Sequence, residues 1–199
     1  MRNHETKVFS VPIEKYLKEV RSRHSIEPEF ASMFRESGKL LTTVTVAKYR
    51  GSFKQEAEAL AKGKEPFEVL RSFKNVFLNE GINNLWTLVC SATGTKWDSG
   101  NARCGVGNSN AAENATQVAL QGASKDWHAM DATYPTYGTS QYATWKSTFD
   151  TGHAEWAWEE YTVVNSADDS GANLNRKISS KGTKGSGETW VLTIQCTIT

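Results

Sequence analysis

The segment HAEWAWEEY, residues 153–161, sets three carboxylates, Glu155, Glu159 and Glu160, around Trp156 and Trp158. Carboxylates beside aromatic rings are the equipment of sugar chemistry. A glycosidase holds one protonated acid and one carboxylate at a defined separation across the scissile bond. On a strand, Glu155 and Glu159 share one face, whereas Glu160 shares the other with Trp156 and Trp158. The same spacing describes a sheet element whose tryptophan face enters a core and whose charges oppose edge pairing. The segment is therefore either a glycan groove or ordinary scaffolding.

Other reactive side chains form no recognisable constellation. His4, His24, His128 and His153 stand far apart, without an HExxH or GxSxG frame. Cys90, Cys104 and Cys196 are an odd set lacking CxxC spacing, so buried free thiols are expected, with neither a disulfide framework nor a zinc site. GVGNSN at 105–110 has Gly105 and Gly107 but no third glycine and no P-loop lysine, which reads as a glycine kink in a strand. No catalytic, cofactor-binding or metal residue is assigned, and no cofactor is expected.

The elements that must position these residues follow from periodicity and breakers. Trp190, Leu192, Ile194, Cys196 and Ile198 alternate with Val191, Thr193, Gln195, Thr197 and Thr199, a half-buried strand over 188–198. Further strands are predicted at 102–107, 126–132, 140–149, 155–164 and 173–180, separated by turns such as Asp98-Ser-Gly, Asp150-Thr-Gly and Lys184-Gly-Ser-Gly. The turn at Asp150 is read as a hairpin that lets Trp145 and Phe149 meet Trp156 and Trp158. Lys181 and Lys184 are expected to keep the last reversal soluble. Ile82, Leu85, Trp86 and Val89 fall at i, i+3, i+4 and i+7, an amphipathic helix over 80–91. Upstream, helices are predicted from SVPIEKYLKEVRSR, EPEFASMFRESG and SFKQEAEALAKGK, with a strand in KLLTTVTVAKY.

The chain of 199 residues carries a net charge of +1, unevenly divided. Residues 1–80 hold a net +4 and residues 81–199 a net −3, and all seven tryptophans lie in the second part. The expected class is α+β, mainly β. Residues 1–72 form a mixed α/β N-terminal assembly arm, and residues 73–199 an antiparallel β-sandwich-like domain with one short helix. Acidic residues interleave with most of Arg21, Arg23, Arg35, Lys48, Arg50, Lys54, Lys62, Lys64, Arg71 and Lys74, which favours a solvated surface or a protein partner over nucleic acid. No apolar run is long enough for a membrane span, and the opening residues do not resemble a signal peptide, so synthesis in the cytoplasm is expected.

From residue 73 onward, FKNVFLNEGINNLW, ARCGVGNSN, ATQVALQG, AMDATYP, STFDTGHAEWAWEE and LNRKISSKGTKGSGETWVLTI resemble, block by block and in order, a family of small β-sheet virion proteins of tailed bacteriophages. The resemblance implies a structural component of the particle without catalysis. It suggests a head decoration or cement protein on the capsid surface, made in the host bacterial cytoplasm. Its partners would be the major capsid protein and neighbouring copies of itself, as a homo-oligomer in the particle, with no direct nucleic-acid or membrane contact. A tail, collar or fibre-anchoring component is the alternative, and a carbohydrate-binding protein the third reading. Residues 1–72 lie outside the resemblance and are expected to lie over neighbouring subunits.

Overall fold

The computed structural model describes residues 40–91 and 93–198. The helices predicted upstream of Leu40 lie outside the described residues. Ten strands and two helices follow in chain order: β1 (Leu40–Arg50), α1 (Glu56–Ala61), β2 (Glu68–Phe73), β3 (Val76–Phe77), α2 (Asn79–Ser91), β4 (Arg103–Gly107), β5 (Lys125–Ala129), β6 (Thr136–Tyr137), β7 (Tyr142–Phe149), β8 (Glu160–Val164), β9 (Asn175–Ile178) and β10 (Glu188–Ile198). They form two antiparallel sheets, ordered β2-β1-β10-β7-β6 and β3-β9-β8-β4-β5. The fold is mainly β and sandwich-like.

Alternation places the core. Leu192, Ile194 and Cys196 on β10 and Val44 and Val46 on β1 point inward, where they join Cys104, Val106, Tyr161 and Val163 of the second sheet. Trp158 lies at the centre, with ring centroids 4.9 Å from both Phe149 and Trp190 in edge contacts. Burying each such ring contributes about 2–3 kcal/mol. On the opposite face of the first sheet, Thr193 faces Thr45 and Gln195 faces Thr43 across the β1–β10 pair, whereas Thr197 faces the exposed Leu41 and Thr43 has the exposed Phe73 on its other side. Near the strand ends this face is closed by a second cluster of Tyr49, Phe53, Ala59 and Val191.

Several expectations change. β1 pairs with β10 along its full length, and β2 pairs with β1, so residues 40–73 supply two strands to the sheet of the C-terminal strand. The boundary expected between residues 72 and 73 does not coincide with an edge of that sheet, because β1 alternates as strictly as β10 and buries the same kind of face.

The strand expected over 155–164 begins only at Glu160. Asp150-Thr-Gly is no hairpin: β7 has both edges occupied, by β10 and β6, so the chain after Phe149 crosses to the other sheet. Of the expected aromatic meeting, the Phe149–Trp158 contact is present, made once the chain has crossed. Lys181 and Lys184 are buried, not at a soluble tip. The stem of Lys184 packs inward while its ammonium donates to the Asp150 carbonyl at 2.8 Å.

Candidate interaction surface

α2 spans Asn79–Ser91, within a residue of the predicted helix, but turns the other way. Gly81 is its fully inward position. A Cβ there would stand 2.6 Å from Leu174 Cα, so the helix reaches the chain entering β9 backbone to backbone. Glu80 fastens the same end, accepting the Asn173 N–H at 2.7 Å. Burial pushes the Glu80 carboxyl above its ordinary value, although the bonds to Asn173 pull against it. This anchoring leaves the apolar stripe outward: Trp86 is 60% exposed, Val89 67% and Leu85 37%. The spacing of these residues is amphipathic, as expected, yet their face is displayed and not buried.

Leu85 also rims a groove of about 640 Å³ at one end of the sandwich, lined by Phe77, Trp97, Tyr142, Trp145 and Ile198 among others. Its wall is fixed by Trp145, whose Nε1–H donates to the Trp97 carbonyl at 2.9 Å. Stripe and groove make one apolar surface drawn from both sheets and α2. Apolar patches of this kind on a folded protein mark interaction sites more often than chance exposure.

The carboxylate segment carries no open acid/base pair. Glu160 is fully buried: Arg176 Nε donates to its Oε2 at 2.7 Å, and the Gln121 and Gly122 amides donate to its two oxygens at 2.9 and 2.6 Å. Trp158 is fully buried as well. Glu155 accepts from the Gly152 amide at 2.8 Å, and Glu159 from Ser180 Oγ at 2.8 Å. The glycan reading of this segment loses its Glu160 and Trp158, which the core encloses.

Gly105 and Gly107 lie in a strand and make room for neighbours, Trp127 and Glu160 respectively, as the kink reading expects. Cys104 and Cys196 are buried free thiols, whereas Cys90, on the outward side of α2, is exposed. Lys48, assigned to the basic arm, is buried beside Trp190, 4.3 Å from the ring centroid, and bonds Glu68 at 2.6 Å. His4 and His24 lie outside the described residues. His128 and His153 are brought together with Asp126. Their separation of 25 positions hid that grouping. The only local signal was the Asp-x-His alternation of residues 126–128, which puts two ligand-type side chains on one strand face. Among the described residues, no helix is long and apolar enough to cross a membrane. Compared with protein-family models, curated proteins and solved structures, the chain matches none.

Proposed function

We propose that this chain is a structural protein of a tailed-bacteriophage virion, of the decoration or cement type. It binds the shell of the major capsid protein and neighbouring copies of itself, and stabilises the head by added contacts without turnover. The observation that carries this reading is the outward apolar stripe of α2, Leu85, Trp86 and Val89, continuous with the groove beside it. A large aromatic at the centre of a patch is the residue type that dominates binding energy at protein interfaces.

The resembling blocks support the same reading from another side. NEGINNLW holds the Gly81 contact and Leu85 and Trp86 of the displayed stripe, GVGNSN the glycines around Trp127 and Glu160, and LNRKISS the Arg176 partner of Glu160. They carry the residues that build the body and its surface.

The test is co-sedimentation of the full chain with capsid shells lacking it. Binding at saturating occupancy is expected, and Trp86→Asp with Val89→Asp should weaken it at least about tenfold, given the weight of central aromatic anchors, with the melting temperature retained. Failure to bind shells would refute the decoration role. Labelled antibody found on tails of intact virions would instead favour the tail, collar or fibre-anchoring role.

A further inference from the structure

The geometry points to a zinc-type divalent metal site formed by Asp126, His128 and His153, a clip between the two sheets. Asp126 and His128 project from one face of β5, in the second sheet, and His153 follows β7, in the first. The three ligand atoms all lie within 4.8 Å of one another. Asp126 Oδ2 stands 3.5 Å from His128 Nε2 and 3.4 Å from His153 Nδ1. These gaps exceed the 2.7–2.9 Å or so of a charge-assisted hydrogen bond. They match the edge of a tetrahedron, since donors bound to zinc at their usual lengths stand about 3.3 Å apart.

The surrounding groups hold these donors in a ligating arrangement. His128 Nδ1 lies 2.9 Å from the Thr148 carbonyl, which can only accept, so Nδ1 carries a proton and Nε2 is the ring nitrogen presented toward Asp126 and available to a metal. That ring stacks on buried Phe149 at 4.3 Å between centroids. Asp126 Oδ1 already accepts the Trp127 amide at 2.9 Å, leaving Oδ2 for the histidines. On the far side of His153, Asp150 Oδ1 stands 3.6 Å from Nε2, the carboxylate placed behind an imidazole that metal sites use to orient a ligand. Two neutral imidazoles and one carboxylate are a zinc donor set with a fourth position open. His153 is half exposed, so an ion has a path in from solvent.

The experiment is a titration of the full chain, freed of metal by chelator and carrying Cys90→Ser to remove the exposed thiol, with zinc chloride in a calorimeter. One equivalent should bind and raise the melting temperature. Asp126→Asn and His153→Ala should each weaken binding at least about tenfold, while a His4→Ala/His24→Ala variant binds as the parent does. Cobalt(II) added to the parent should give the intense visible absorption of a tetrahedral site, a readout independent of whether any variant folds. The proposal is overturned if the parent binds no zinc, if His153→Ala binds as tightly as the parent, or if cobalt shows only the weak spectrum of the hydrated ion.

Discussion

Arg176 and Glu160 form an ion pair with no exposed surface on either side chain, Nε to Oε2 at 2.7 Å, inside a body otherwise cored by aromatic and aliphatic side chains. The pair also organises the long connection between β4 and β5. Glu160 takes the amides of Gln121 and Gly122, and Arg176 Nη1 donates to the carbonyls of Ala111 and Ala112 and to Gln117 Oε1. Two charges can be buried together because both Glu160 oxygens and the Nε and Nη1 groups of Arg176 have partners, which leaves Arg176 Nη2 as the buried nitrogen without one.

Breaking the pair from one side should therefore be severe. Arg176→Met leaves a buried carboxylate without its counter-ion and is expected to cost about 3–5 kcal/mol, a large share of the roughly 5–15 kcal/mol that holds a domain together. Urea unfolding checks it. The double variant Arg176→Met/Glu160→Leu should regain part of the loss, because the orphaned charge is gone. A single variant as stable as the parent would contradict this account.

Gly81→Ala tests the seating of α2. In an exposed helix that exchange gains up to about 1 kcal/mol. Here the added Cβ would meet backbone atoms of Asn173 and Leu174 at 2.6–2.8 Å, and backbone cannot swing aside as a side chain can. A loss of about 1–3 kcal/mol is expected from overpacking, measured by thermal melting. The change of sign is the diagnostic result.

The three thiols should separate kinetically. Burial pushes the Cys104 thiol up to about 12 and the Cys196 thiol up to about 11, whereas Cys90 is exposed. A thiol reagent at pH 8 should modify one cysteine of the native chain quickly and the other two more than about 100-fold more slowly, because the thiolate is the reacting form. All three should react together in denaturant. Peptide mapping of the fast adduct should find Cys90.

Lys181 should make stability depend on alkaline pH. Burial lowers its pKa, and the positive charges of Lys177 and Lys48 add to the effect. Between that lowered value and the ordinary lysine value near about 10.4, the unfolded chain holds more protons than the folded one. The stability of the folded form therefore rises with pH through this window and is lost as pH falls below it. Lys181→Met should flatten this slope relative to the parent and raise the denaturation midpoint at pH 7. Parallel pH profiles for the two proteins would refute the assignment.

Local patterns in the sequence were reliable where one element's own period sufficed. Residues 188–198 alternate and form β10 over that same range, and the helix expected over 80–91 is α2, begun one residue earlier. Glu155–Glu159 misled because their alternation mimics a strand while the chain there crosses between sheets. Val76–Phe77 and Thr136–Tyr137 were not anticipated, being strands of two residues, too short to show a period. The candidate sites were legible only as ingredients: a stripe at helical spacing, an Asp-x-His pair and a distant histidine.

Periodicity by itself determined that this chain builds strands with aromatic residues in the core, where the longer of the two described helices lies, and which side chains of each element share a face. The tertiary structure alone decided which face looks inward. Spacing along a helix is unchanged by rotation about its axis, and the close approach of Gly81 to Leu174 is what turns Trp86 and Val89 outward. It also decided that β7 and β8 join different sheets, that Glu160 meets Arg176, and that Asp126 and His128 meet His153. Each of these depends on which strand occupies a neighbour's hydrogen-bonding edge, a competition between distant segments that no local pattern encodes.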